Sequence, residues 1–170
     1  MIFAEEISSF VTQNECAALA DLARDKRVLE IGSEFGRSTV ALASTASFVC
    51  SVDWHRGDEH AGWHDSLSTF WTNLERYRVR DRVVLLIAED QVVLPLLKEN
   101  LFDLAFIDAF HSYEAVRRDI ALVRPALKSG GTWAFHDYGR FGVTQAVDEL
   151  LVQEGGRLEL QESLAWIARR

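Results

Sequence analysis

An α/β fold on a mostly parallel, doubly wound sheet is predicted by three observations. Short, almost wholly apolar runs alternate with longer segments of helical composition. Those runs end in acids, histidines or glycine, and the chain closes on two strand-like runs with no helix between them. A strand covered by helices on both faces has no solvent side, so it reads as a continuous apolar run. At 170 residues the chain can bury one core without staples, so 1–170 is expected to be a single domain, with 1–26 an N-terminal helical segment.

The elements follow in order. "NECAALADLARD" (14–25) sets Cys16, Leu19 and Leu22 at helical spacing, with Asn14 as the expected N-cap. "RVLEIG" (27–32) is a strand ending in glycine, and "RSTVALASTA" (37–46) a helix. "FVCSVD" (48–53) is the second strand and "LSTFWTNLERY" (67–77) the next helix. "RVVLLIA" (82–88), "LFDLAFID" (101–108) and "GTWAFHD" (131–137) are three further strands, separated by helices near 91–99 and 112–123. In the tail, "VTQAVDELLVQEG" is a helix, and "RLELQES" and "SLAWIAR" form paired strands.

Composition narrows the function. The net charge is −8, and Arg76, Arg78, Arg80 and Arg82 alternate with apolar or acidic residues, so no basic stripe suits a nucleic-acid backbone. Cys16 and Cys50 are too few and too far apart for a disulfide framework or a zinc site, and read as small core residues. "MIFAEEISSF" has acids where a signal peptide carries basic residues, and no apolar run reaches membrane-spanning length. A cytoplasmic protein without a membrane partner is the expectation.

Ligands of open parallel sheets bind at the carboxyl ends of the strands, where strand order reverses. Those ends carry Glu30 with Gly32, Asp53, Glu89 or Asp90, Asp108, and His136 with Asp137. A purely structural sheet has no need of such an edge, although Asp108 alone is equally well explained as a cap of the helix starting near Ser112. Gly32 and Gly36 bracket the turn in "VLEIGSEFGRS", where a ligand could approach the backbone and Ser38 could add a hydroxyl. An acid ending the second strand, here Asp53, typically accepts ribose hydroxyls. A nicotinamide dinucleotide wants a glycine where Glu34 stands, and Glu34 would repel a pyrophosphate. A methionine-bearing nucleoside, with one carboxylate and one amine, fits better, and Glu30 is placed to receive the amine.

These residues resemble a known family. "VLEIGSEFGRSTVALA" resembles the first cofactor motif of catechol-type O-methyltransferases. "SVDWHRGD", "LAFIDAFHSYEAVRRDI", "LKSGGTWAFHDYG" and "GVTQAVDEL" are similar to a bacterial branch that includes sugar O-methyltransferases of the macrolide type and cephalosporin-hydroxylase-like proteins. The specific signal is D-x-x-H-S-Y followed by G-G-x-x-x-x-H-D-Y, and the likeness runs from about residue 27 to the end. It implies a class I S-adenosylmethionine-dependent methyltransferase. The implied fold is a Rossmann-like seven-stranded sheet, mostly parallel, with a C-terminal antiparallel hairpin.

The resemblance also implies roles. Gly32, Ser33, Gly36 and Ser38 line the methionine end, Asp53 holds the ribose, and Trp54 packs on the adenine or else covers the sheet edge. Ala88, Glu89, Asp90 and Gln91 match the stretch around the adenine. Asp108 counts among both the cofactor and the metal residues, and with Asp137 it would bind Mg²⁺ or Mn²⁺. His111 is the expected general base; His136 could be a ligand, a second base or a structural partner. In "WHRGDEHAGWHDS" (54–66), His55, His60 and His64 fit no standard metal spacing, so a substrate-facing loop is expected, with Trp63 and Trp71 as walls. The acceptor is a small molecule or glycan hydroxyl, in a pocket that is shallow or completed by a second subunit of a homo-oligomer. Two other readings stay open: a cofactor-binding partner without catalysis, and an NAD-dependent oxidoreductase, which Glu34 and the hairpin tail disfavour.

Overall fold

The computed structural model describes residues 4–58 and 62–168. The first half runs α1 (Gln13–Ala23), β1 (Arg27–Ile31), α2 (Arg37–Ala43) and β2 (Phe48–Asp53). A small ribbon, β3 (Gly57–Asp58) and β4 (Gly62–Trp63), leads to α3 (Leu67–Arg76) and β5 (Val83–Ile87). The second half runs α4 (Asp90–Val93), β6 (Phe102–Ile107), α5 (Tyr113–Val123), β7 (Leu127–Phe135), α6 (Phe141–Glu154), β8 (Arg157–Gln161) and β9 (Leu164–Ala168). The large sheet has the order β5-β2-β1-β6-β7-β9-β8. Its first five strands are parallel, and β9 pairs antiparallel with both β7 and β8. Strand order reverses between β1 and β6.

Period-two alternation along each strand decides what covers which face. Val28, Val49, Leu104, Phe106 and Ala134 pack with Leu19, Val40, Phe70 and Leu74 beneath α1, α2 and α3. Leu29, Ile31, Cys50, Val52, Ala105, Ile107 and Phe135 pack with Val116 and Ile120 of α5 and Val143, Val147 and Leu150 of α6. Each large side chain buried in these layers stabilises the fold by roughly 1.5–3 kcal/mol. Both cysteines are free and buried, as their apolar surroundings suggest.

Among the boundaries that differ from expectation, three have a clear physical cause. Helix α1 is capped by Thr12, not Asn14: Glu15 N–H donates to Thr12 Oγ1 at 3.2 Å, and Thr12 N–H to Glu15 Oε2 at 2.8 Å. This T-x-x-E box satisfies two otherwise orphaned amides reciprocally. The helix expected over 91–99 shrinks to α4 and a 3₁₀ turn, Leu94–Leu96, because Pro95 lacks the N–H that would continue it. Strand β7 begins at Leu127 rather than 131, and a register shift against β6 absorbs the glycine pair Gly130–Gly131. Among the described residues, no helix is long and apolar enough to cross a membrane.

Candidate active site

Sheet register assembles the site. Ile31 pairs with Val52 on one side and Ile107 on the other, and Ile107 pairs with Phe135. The next residue of each strand therefore falls in one row at the carboxyl edge: Asp53, Gly32, Asp108 and His136. The ladder continues into this row, with Asp108 N–H donating to Ile31 O at 2.8 Å and Gly32 N–H to Val52 O at 2.9 Å. A cleft of about 600 Å³ opens above it, within the ordinary size range of small-molecule sites. It lies at the carboxyl edge spanned by β1 and β6, where strand order reverses.

The glycine loop folds around Asp53. Asp53 Oδ2 accepts the N–H groups of Ser33 and Glu34 at 2.7 and 2.8 Å, and Oδ1 accepts that of His55 at 2.6 Å. Asp53, Ser33, Glu34, Ser38 and Gly32 all line the cleft. Gly32 takes the left-handed conformation expected of it, at φ +84°, and the structure adds a second reason for a glycine there: a Cβ would stand 2.0 Å from the Asp108 carbonyl oxygen at the neighbouring strand end. Gly36 does not reach the cleft; at φ +89° it sits under Phe70 and Leu74 of α3. Glu30 is a second correction. It shares the strand face of Val28, which lies beneath α2, and is fully buried there. Its oxygens accept the hydroxyls of Ser38 and Thr39, each at 2.6 Å, and burial pushes its carboxyl up to about 7. A group sealed in this way ties β1 to α2 and does not meet a ligand's amine.

Asp108, His111, His136 and Asp137 come together as expected, with a division of labour that only the structure shows. Ser112, not Asp108, caps α5: its Oγ accepts the Ala115 N–H at 3.3 Å. Asp137 adopts the left-handed region, φ +58°, which Asp tolerates better than most residues. His111 Nε2 lies 2.8 Å from Asp137 Oδ2 and 3.7 Å from Asp108 Oδ1. Contact with Asp108 and Asp137 outweighs its burial and raises its pKa to about 9. Asp108, His111 and Asp137 each offer one ligand atom within 4.8 Å of the others, a donor set of two oxygens and one nitrogen that a divalent cation could use.

His136 is not a base. It is buried, with Nδ1 3.3 Å from Asp108 Oδ1 and Nε2 3.2 Å from Glu15 Oε2. An imidazole facing a carboxylate from each nitrogen carries both protons and has no lone pair to give. Burial works against this cation, but Asp108, Asp137 and Glu15 together hold its pKa far above the usual histidine range. Glu15, fully buried at the start of α1, also accepts the N–H and Oγ–H of Ser163. Burial alone would raise its carboxyl; the hydrogen bonds from His136, Thr12 and Ser163 win and lower it to about 2. Arg140 Nε adds a third cation, 3.1 Å from Asp137 Oδ1. Three acids thus face three cations across the ends of β6 and β7. Glu15 escaped the sequence reading of the site, although the T-x-x-E box that holds it is legible.

The walls are partly as expected. Trp54 lines the cleft, donates from Nε1 to Gly57 O at 3.0 Å, and meets Trp63 edge-on at 5.8 Å. Trp63 is 71% exposed at the rim, and Phe10 (81%) and Phe110 (41%) join it. Trp71 does not reach the cleft; it packs against the core with Arg80 over its ring. Glu89 is exposed at the wall and accepts from Gln91 Nε2 at 2.8 Å. His55 is buried against Ser66 and Phe70, and His64 lies on the rim beside Glu34; His60 falls outside the described residues.

A doubly wound sheet with an antiparallel last strand inserted beside β7, and an acid-lined cleft at its reversal point, defines the class I methyltransferase fold. The model of a methyltransferase domain family matches residues 29–138, and the chain belongs to that family. Among solved structures it is similar to cofactor-bound Rv0187 from MTB, at 22% identity and a TM-score of 0.77, covering 98% of this chain and 85% of that one. It is also similar to the O-methyltransferase TomG from Streptomyces achromogenes, involved in tomaymycin synthesis and solved with SAM (16% identity, TM-score 0.74, 96% and 82% covered). A third likeness is to an O-methyltransferase from Bacillus cereus in complex with SAH (18%, 0.72, 98% and 86%). No curated protein matches the sequence.

Proposed function

We propose that this chain transfers a methyl group from S-adenosylmethionine to a hydroxyl of a small molecule or glycan. The observation that carries this reading is the His111–Asp137–Asp108 cluster, set in the same cleft as the glycine loop and Asp53. The lining supports a cationic nucleoside over a dinucleotide. Six acids (Glu34, Asp53, Glu89, Asp90, Asp108, Asp137) line it against two arginines (Arg118, Arg140) and the imidazoliums of His111 and His136, a net negative balance that favours a sulfonium and opposes a pyrophosphate.

When bound, S-adenosylmethionine supplies a methyl group on a positively charged sulfur, and a divalent cation supplies a lowered pKa at the acceptor hydroxyl. Asp53 keeps the Ser33 and Glu34 amides in the loop that would take the methionine and ribose portions. His111 would accept the acceptor's hydroxyl proton as the oxygen bonds to the methyl carbon and the carbon–sulfur bond breaks. Its Nε2 is buried against Asp137 Oδ2 at 2.8 Å, so it takes that proton only once the contact opens. To do so it must be neutral, and two carboxylates oppose that. Mg²⁺ or Mn²⁺ held by Asp108 and Asp137 would compete with the imidazolium for the same oxygens and lower its pKa toward neutrality. His136, clamped by Glu15, keeps Asp108 in place throughout. Phe10, Trp63 and Phe110 at the rim suit the apolar face of a sugar or phenolic ring.

The test is calorimetric titration with S-adenosylmethionine and NADH, followed by turnover on a panel of hydroxylated acceptors with and without chelator. Binding of S-adenosylmethionine with turnover supports the reading. Binding without turnover on any acceptor favours a non-catalytic partner, and binding of NADH alone overturns it.

A further inference from the structure

On the wall formed by α4 and α5, apart from the His111 cluster, a second pair of acids is short of donors. Asp119 of α5 is fully buried, and its Oδ2 has no hydrogen-bond partner in the form of a donor. The same holds for Oδ2 of Asp90, the first residue of α4, whose side chain is 13% exposed. The charged groups that act on Asp119 are Asp90 and Arg118. Arg118 Nη2 stands 3.5 Å from Asp119 Oδ1 and 3.6 Å from Asp90 Oδ2, too distant to satisfy either carboxyl fully, and is 40% exposed. Two dehydrated carboxylates sharing one outlying cation are unfavourable, and a single proton between them removes both the repulsion and the missing donor. Burial first, and then contact with Asp90, push Asp119 up to about 9.

We infer that Asp119 is a positioning residue for the nucleoside: its carboxyl O–H donates to Asp90 Oδ2 and pins the turn Ala88–Gln91 against the cleft. The turn needs such a hold. Helix α4 has only four residues before the Pro95 turn, and Asp90 Oδ1 is already occupied by the Gln91 amide at 2.7 Å. Ala88, Glu89, Asp90 and Gln91 line the cleft, whereas Asp119 lies behind them. The assignment rests on the nucleoside reading above.

Two measurements on the full chain test it. An infrared difference spectrum between wild type and Asp119→Asn at pH 7 should show a protonated-carboxyl C=O band in the wild type only; the Glu30 contribution cancels. Calorimetry with 5′-methylthioadenosine, a nucleoside without the amino-acid moiety, should show Asp119→Leu weakened on the order of 10-fold or more. Asp119→Asn, whose amide still donates to Asp90, should recover most of that affinity. Where Asp119→Leu does not fold, Asp119→Ala is measured in its place. A missing band overturns the shared proton, and unchanged affinity in the Leu variant or no rescue by Asn overturns the positioning role. Wild type that binds no methylthioadenosine overturns the nucleoside reading itself, and the band then still decides whether the proton is shared.

Discussion

Replacing Glu15 with Gln should destabilise the protein far more than its place outside the cleft suggests. Glu15 accepts four hydrogen bonds: from Thr12 N–H and His136 Nε2–H at Oε2, and from Ser163 N–H and Oγ–H at Oε1. A glutamine has one acceptor oxygen, so its NH₂ must confront one of these donor pairs. In either orientation the charge opposite His136 is gone. Removing one member of a buried ion pair costs roughly 3–5 kcal/mol, because the other remains buried and uncompensated. For a domain of this size that corresponds to a fall in Tm of roughly 6–20 °C. The assay is urea and thermal unfolding of both proteins between pH 7 and pH 3. The sign follows from the lowered pKa of Glu15. Its contribution is full above the unfolded value of about 4.5 and disappears as pH falls toward about 2. The gap between wild type and Glu15→Gln should therefore be constant near pH 7 and narrow below pH 4.5. A loss under about 1 kcal/mol at pH 7, or a gap that does not narrow in acid, would refute the reasoning.

Three further outcomes are expected. Asp53→Ala should weaken S-adenosylmethionine binding by roughly 1.5–3 kcal/mol in calorimetry, through the proposed ribose contact and the released Ser33 and Glu34 amides; equal affinities would remove Asp53 from the site. His111→Ala should lower kcat on the order of 10²–10⁴ with cofactor affinity retained, and wild-type turnover in chelator should rise with pH toward about 9. Added Mg²⁺ or Mn²⁺ should move that rise to lower pH, and a profile insensitive to both pH and metal would exclude His111 as the base. Gly32→Ala should unfold or lose at least several °C in a thermal melt, since the new Cβ would meet the Asp108 carbonyl at 2.0 Å; wild-type stability would contradict the contact.

Sequence by itself determined the sheet, its covering helices and the row of polar strand ends. Apolar runs such as "LAFI" can be satisfied only between two layers, and every parallel strand in such a sheet presents its last residue at the same edge. Asp53, Asp108, His111 and Asp137 were legible for that reason. What a side chain does once it arrives was not legible, because it depends on partners far away in the chain. Strand parity turned Glu30 under α2, and Trp71 went to the core because α3 packs down on that same face. Glu15 meets His136 from 121 residues away, and Asp119 lies behind Asp90 across two elements. Only the tertiary structure told the two histidines apart. Both rings sit among carboxylates, but one is buried with a carboxylate at each nitrogen, and the other keeps an edge open to the cleft.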